Sequence, residues 1–132
     1  MTEEVADRQF QILIADDDPA ILRLVKAIVE KEGFAAVTAR DGREAYKILT
    51  NDTSFAAAIF DVVMPYIQGT ELVRHMQSEK RLMRIPVIIM TAEQNPRLSS
   101  DSFNAGAVAF LPKPFTTSQL QTMIRTFVHK DH

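Results

Sequence analysis

Five short apolar clusters, each four or five residues long, constrain what this chain can fold into more than any other feature. They are Ile12–Ala15, Ala35–Thr38, Ala56–Phe60, Pro86–Met90 and Val108–Leu111, mostly β-branched or small residues with little polar interruption. Runs of that kind suit strands buried on both faces, which is the situation inside a parallel sheet. The stretches between them carry helical patterns. Ile21, Leu24, Val25 and Ile28 recur at helical spacing, so these four are expected to face inward, while Arg23, Lys26, Glu30 and Lys31 fall elsewhere. Asp18 before Pro19 reads as an N-cap followed by proline at the first helical position, and Gly33 as the stop.

Asp41 with Glu44 resembles a capping box, with Ala45, Ile48 and Leu49 pointing inward behind it. A third helix is expected over Thr70–Ser78, burying Leu72, Val73 and Met76. Residues Arg97–Ala105 form a poorer helix, loaded with Ser99, Ser100, Ser102 and Asn104 and closed by Gly106. Thr116 and Gln119 make a second capping box before Leu120, Met123, Ile124, Phe127 and Val128. Five strands alternating with five helices give the α/β class with a parallel sheet. Residues 1–9 read as a flexible tail and residues 10–132 as one domain.

Composition closes off other classes. A folded chain of 132 residues buries roughly two-thirds of its unfolded surface, enough for a core without staples. There is no cysteine, hence no disulfide, thiol nucleophile or thiolate metal site. Ala56–Phe60 is far too short to cross a bilayer, and the first residues lack the basic start and apolar stretch of a signal peptide. A net charge of −2 gives no electrostatic case for nucleic acid. A cytoplasmic domain that binds neither nucleic acid nor membrane is the expectation. Met76, Met83, Met90 and Met123 read as core filler. His75, His129 and His132 lack metal-ligand spacing, and Lys80, Arg81 and Arg84 read as a solvated helix end.

In an open parallel sheet, ligands bind beyond the carboxyl ends of the strands. The first strand delivers Asp16, Asp17 and Asp18 there, the third Asp61, the fourth Thr91, and the fifth Lys113 within PKPF. Asp18 is taken up by its capping role. Asp16, Asp17 and Asp61 repel one another, and a hard divalent cation with oxygen ligands, Mg²⁺ above all, resolves the repulsion. Carboxylate, cation, ammonium and hydroxyl together make a site for accepting a phosphoryl group. The carboxylate attacks, cation and ammonium neutralise phosphoryl oxygens, and the hydroxyl donates to another.

These motifs, ILIADDDPAIL (12–22), FDVVMPYIQG (60–69), VIIMTA (87–92) and FLPKPF (110–115), resemble a response-regulator receiver domain of two-component phosphorelay signalling. The likeness runs from about Phe10 to Val128, and the order and spacing of the four motifs make it specific. It implies a flavodoxin-like doubly wound sheet of order 2-1-3-4-5. It also implies Asp61 as phospho-acceptor, with Asp17 a direct Mg²⁺ ligand, Asp16 acting partly through water, and the Val63 backbone carbonyl completing the protein's share. Thr91 would be the switch hydroxyl, Lys113 the phosphate-contacting lysine, Lys113–Pro114 a cis peptide bond, and Phe110 the switch aromatic that turns inward. The phosphoryl donor would be a sensor histidine kinase or a histidine phosphotransfer protein, and the output a changed surface for a downstream protein. Such a domain is not an enzyme beyond catalysing its own phosphorylation and dephosphorylation. Receivers often pair through their fourth and fifth helices, which leaves a homodimer open. Taken at its own length, the chain would act as a stand-alone receiver.

Departures from the family pattern stand beside the matches. Tyr66 replaces the glycine that often follows Met-Pro, a bulky ring beside the acceptor loop that would narrow donor access. Phe110 replaces the commoner tyrosine. Val63 and Glu93 flank the expected water path and are read as tuning phosphoryl lifetime. Two rival functions are weaker. A phosphatase of the haloacid-dehalogenase type needs a second aspartate where Val63 stands. A non-phosphorylated interaction module would not need Asp16, Asp17, Asp61, Thr91 and Lys113 all intact. A nucleotide site lacks a Gly-rich phosphate loop in a chain with four glycines.

Overall fold

The computed structural model describes residues 10–129; the tail expected over residues 1–9 lies outside them. Strands β1 (Gln11–Ala15), β2 (Ala35–Ala39), β3 (Phe55–Asp61), β4 (Val87–Thr91) and β5 (Ala109–Pro112) alternate with five helices. The helices are α1 (Pro19–Lys31), α2 (Gly42–Asn51), α3 (Gly69–Gln77), α4 (Arg97–Ala105) and α5 (Thr117–Phe127). All four strand pairings are parallel, and the order is β2-β1-β3-β4-β5. This is the α/β, flavodoxin-like order that the resemblance implies. Because β1 lies between β2 and β3, the chain winds one way from β1 to β2 and the other way from β1 to β3. Loops diverge at that reversal and open a crevice over the carboxyl ends of β1 and β3.

Alternate strand residues feed two cores. Leu13, Ala15, Ala58, Phe60 and Ile89 pack with Leu49, Leu72 and Met76 from α2 and α3. Ile12, Ile14, Ile59, Ile88 and Met90 pack with Val25 and Val29 of α1 and with Leu120 and Ile124 of α5. The period-two alternation of the strands is what lets one apolar run serve both faces. Arg125 of α5 holds both carboxylate oxygens of Glu32, at 2.8 and 2.9 Å, joining the ends of α5 and α1 on the surface.

Several local expectations are corrected. In α1 the buried residues are Leu22, Val25, Ile28 and Val29, while Leu24 is exposed and Ile21 only partly covered. Seven apolar residues between 21 and 29 make an arc wider than the contact, so helical spacing fits two rotations of the helix and the sheet selects one. Met83 is exposed rather than core. The Glu44 carboxylate reaches back to the N–H of Arg40, not to that of Asp41, although Asp41 itself accepts from the Glu44 N–H. Asp18 caps α1 by accepting from the Ala20 N–H at 2.9 Å, and Thr116 with Gln119 closes the box before α5.

Candidate functional site

The crevice collects the residues expected there, each delivered by the end of a strand. Asp16 follows β1 and is fully buried; its Oδ1 accepts from the Asp18 N–H at 2.9 Å, which folds the loop over it. Asp17, next along, is exposed, and Asp61 ends β3 almost fully buried. One oxygen from each of Asp16, Asp17 and Asp61 can be chosen so that all lie within 4.8 Å of one another. Lys113, just beyond β5, donates to Asp16 Oδ2 at 2.7 Å and lies 3.4 Å from Asp61 Oδ1. The lysine is therefore closer to the acid of β1 than to that of β3.

Thr91 ends β4 and is buried, its hydroxyl accepting from the Glu93 N–H at 3.1 Å. Its carbonyl accepts from the Lys113 N–H at 2.8 Å, so β4 and β5 deliver the two groups side by side. The Lys113–Pro114 peptide bond is cis. Phe110 is half-buried against the α2–α3 side of the sheet, and Val63 is exposed. Gly69 packs so tightly on the Asp61 carbonyl that a Cβ would collide with it, and its N–H donates to the Val62 carbonyl at 2.9 Å. The loop after Asp61 is thus closed back on its own root.

Three carboxylates against one ammonium leave the site short of positive charge. Burial first, and then the charges of Asp16 and Asp17 against the pull of Lys113, push the Asp61 carboxyl up to about 6. Burial works against the Lys113 ammonium, yet its hydrogen bond to Asp16 and the charges of Asp61 and Asp16 raise its pKa. Hard oxygen donors in excess of their cations fit a hard divalent ion, with Asp16, Asp17 and Asp61 as its protein carboxylates.

The family model of the response regulator receiver domain matches residues 12–125. This chain belongs to that family. Receivers are signalling domains of two-component systems rather than enzymes in the ordinary sense. The chain is 32% identical over 122 residues to the transcriptional regulatory protein CpxR of Escherichia coli, covering 92% of this chain and 50% of CpxR. Its fold superposes on the Vibrio cholerae chemotaxis response regulator CheY4 with a TM-score of 0.83, at 28% identity, covering 90% of this chain and 98% of CheY4. A receiver domain of a Syntrophus aciditrophicus histidine kinase gives 0.81 at 32% identity, covering 89% of each chain. The chain spans about half the length of the curated relatives it matches. Among the described residues, no helix is long and apolar enough to cross a membrane.

Sequence reasoning did not find the backbone devices around this receiver site. Tyr66 has a φ of +72°, and the Arg43 guanidinium lies over its ring at 3.9 Å from the centroid. The only sequence signal for this was the departure from glycine at position 66; nothing in the chain pairs 43 with 66 in advance.

Proposed function

We propose that this receiver takes a phosphoryl group from a histidine kinase or histidine phosphotransfer protein onto Asp61 and converts it into a changed protein-binding surface. The observation that carries the reading is the juxtaposition of Asp16, Asp17 and Asp61 with the Lys113 ammonium at the open edge of the sheet. Mg²⁺ would be held by Asp17, Asp61 and the Val63 carbonyl, with Asp16 partly through water. When bound it supplies positive charge that offsets the carboxylates and the incoming phosphoryl oxygens.

An ionised Asp61 oxygen attacks phosphorus in line with the P–N bond of a phosphohistidine. The O–P bond forms as the P–N bond breaks, and the imidazole nitrogen leaves with the electron pair and is protonated by solvent. No general base is required, because the nucleophile is already an anion above about pH 6. Lys113 shifts from its carboxylate partners toward a phosphoryl oxygen, and the Thr91 hydroxyl donates to another. Movement of Thr91 frees space for Phe110, which sits half-buried on the neighbouring strand, to turn inward. The surface of α4, β5 and α5 changes in consequence, and α4, with its serine-rich sequence, is the element least able to resist. Action in the cytoplasm, a downstream protein target and pairing of two copies complete the reading.

Intact mass after incubation with a small phosphoramidate and Mg²⁺ tests it. One added phosphoryl group is expected, lost without Mg²⁺ and lost in Asp61→Asn. A well-folded protein that takes up nothing would overturn the reading.

Val63 and Glu93 present exposed side chains on either side of the acceptor and the switch hydroxyl. Replacing both is expected to change the dephosphorylation rate several-fold while leaving phosphorylation intact. An unchanged decay of the phosphorylated protein would remove them from any role in phosphoryl lifetime.

A further inference from the structure

The loop between β3 and α3 holds one side chain in a conformation that side chains avoid. Tyr66 has a φ of +72°, and the Ile67 N–H donates to the Pro65 carbonyl at 2.9 Å. That hydrogen bond closes a γ-turn with Tyr66 at its centre, and the positive-φ form of this turn is rare and strained. Glycine takes such a φ without steric cost; tyrosine does not. Something other than local preference must hold the turn.

The first turn of α2 is in place to do so. Gly42 donates its N–H to the same Pro65 carbonyl at 3.3 Å. It lies so close to the Ile67 carbonyl that a Cβ at position 42 would clash with it. Arg43, the next residue, lays its guanidinium over the Tyr66 ring at 3.9 Å from the centroid. Arg43 forms no ion pair among the described residues, so the ring is its partner. α2 therefore grips the turn twice, by backbone at Gly42 and by cation and ring at Arg43. The far end of the loop is tied by the Gly69 N–H on the Val62 carbonyl at 2.9 Å. Val63 lies between those two anchors.

We propose that Arg43 and Tyr66 form a latch holding the 62–68 loop, and with it the Val63 carbonyl, in the arrangement that binds the divalent cation. Arg43 is then a positioning residue for cation binding that acts from outside the site. This rests on the reading of Asp16, Asp17, Asp61 and Val63 as the cation's ligands. The sign of the effect separates a latch from simple electrostatics. By charge alone, deleting a nearby cation favours the arrival of another. A latch demands the reverse.

Two measurements on the full chain test the proposal. In metal-free protein, Arg43→Ala is expected to speed exchange of the Ile67 amide by about two- to fivefold, the range for losing an exposed cation–π contact. In a Mg²⁺ titration followed by NMR, Arg43→Ala is expected to weaken binding about twofold or more, with Arg43→Lys retaining most of the affinity and Tyr66→Phe all of it. Tyr66→Gly relieves the strained turn, so in that background Arg43→Ala should leave Mg²⁺ affinity unchanged. Equal or tighter Mg²⁺ binding by Arg43→Ala, or unaltered exchange at Ile67, overturns the latch. Failure of the unmodified protein to bind Mg²⁺ at all overturns the cation-site reading instead, while the metal-free exchange still reports on whether Arg43 holds the turn.

Discussion

Replacing Lys113 with methionine is expected to cost the metal-free protein about 3 kcal/mol at pH 7.5, a fall in Tm of roughly 10 °C for a domain of this size. Lys113 is the cation that meets both buried acids, at 2.7 Å from Asp16 and 3.4 Å from Asp61. Asp16 has no exposed side-chain surface through which water could take over. Removing one partner of a buried pair strands the other charge, and the stranded charge accounts for most of the penalty. The alkyl stem of methionine preserves the packing, so the loss reads out charge rather than volume. The raised pKa of Lys113 keeps it charged throughout the neutral range, and its own contribution would fade only as pH rises through that value. Any pH dependence below neutrality therefore belongs to the carboxylates. As pH falls toward 5, Asp61 takes up a proton and the variant should recover the part of its deficit that the Asp61 charge contributes. Differential scanning calorimetry at pH 5 and pH 7.5 decides the matter: an equal loss at both would show that Lys113 does not neutralise Asp61, and a loss of under about 1 kcal/mol at the higher pH that it neutralises neither acid.

The parts of this molecule that were legible in the sequence are those with a short-range physical cause. The apolar runs became strands, β1, β3 and β4 buried on both faces and β2 half-exposed at the sheet edge, and Asp18, Asp41 and Thr116 became caps because their oxygens reach N–H groups two or three residues on. The meeting of Asp16, Asp17, Asp61 and Lys113 involves distant residues, yet it was legible too. A parallel sheet places every strand's carboxyl end on one edge, so the topology substitutes for a contact map.

What escaped the sequence depends on angles and on cross-chain packing. Leu22 and Leu24 are two residues apart and so lie on roughly opposite sides of α1, and the sheet's position leaves Leu24 in solvent. Met83 follows a helical turn whose orientation no periodicity fixes. Lys113 could have favoured either acid, and in the fold it lies 2.7 Å from Asp16 and 3.4 Å from Asp61. The stack of Arg43 on Tyr66 joins two surface residues, one from the first turn of α2 and one from the β3–α3 loop, each unremarkable alone. A tyrosine standing where glycine is common was the sole hint, and it pointed toward blocked access rather than toward the strained turn and its arginine.

Asp61→Asn should raise the stability of the metal-free protein at pH 7.5, by up to about 3 kcal/mol for a shift from 3.8 to about 6. The sign follows from linkage. Asp61 binds its proton more tightly in the folded state than in the unfolded chain, because burial and the charges of Asp16 and Asp17 outweigh Lys113. Folded protein is therefore favoured at low pH, loses that advantage as pH rises from about 4 through about 6, and loses little more above it. Asparagine removes the charge, so the gap between variant and parent should be near zero at pH 4 and largest above pH 7. The 3.4 Å contact to Lys113 is already contained in that net shift, and Lys113 keeps its shorter bond to Asp16 in the variant. Adding Mg²⁺ should stabilise the parent more than the variant and narrow the difference. A lower Tm for the variant at pH 7.5, or a gap that does not change between pH 4.5 and 7.5, would contradict the electrostatic account. Combined with Lys113→Met the two changes should not add, because the asparagine removes one of the charges that the missing lysine would otherwise leave stranded. A carboxylate kept ionised at a cost to the fold is poised to gain from positive charge brought to its oxygens, and that same cost is what the double-variant cycle measures.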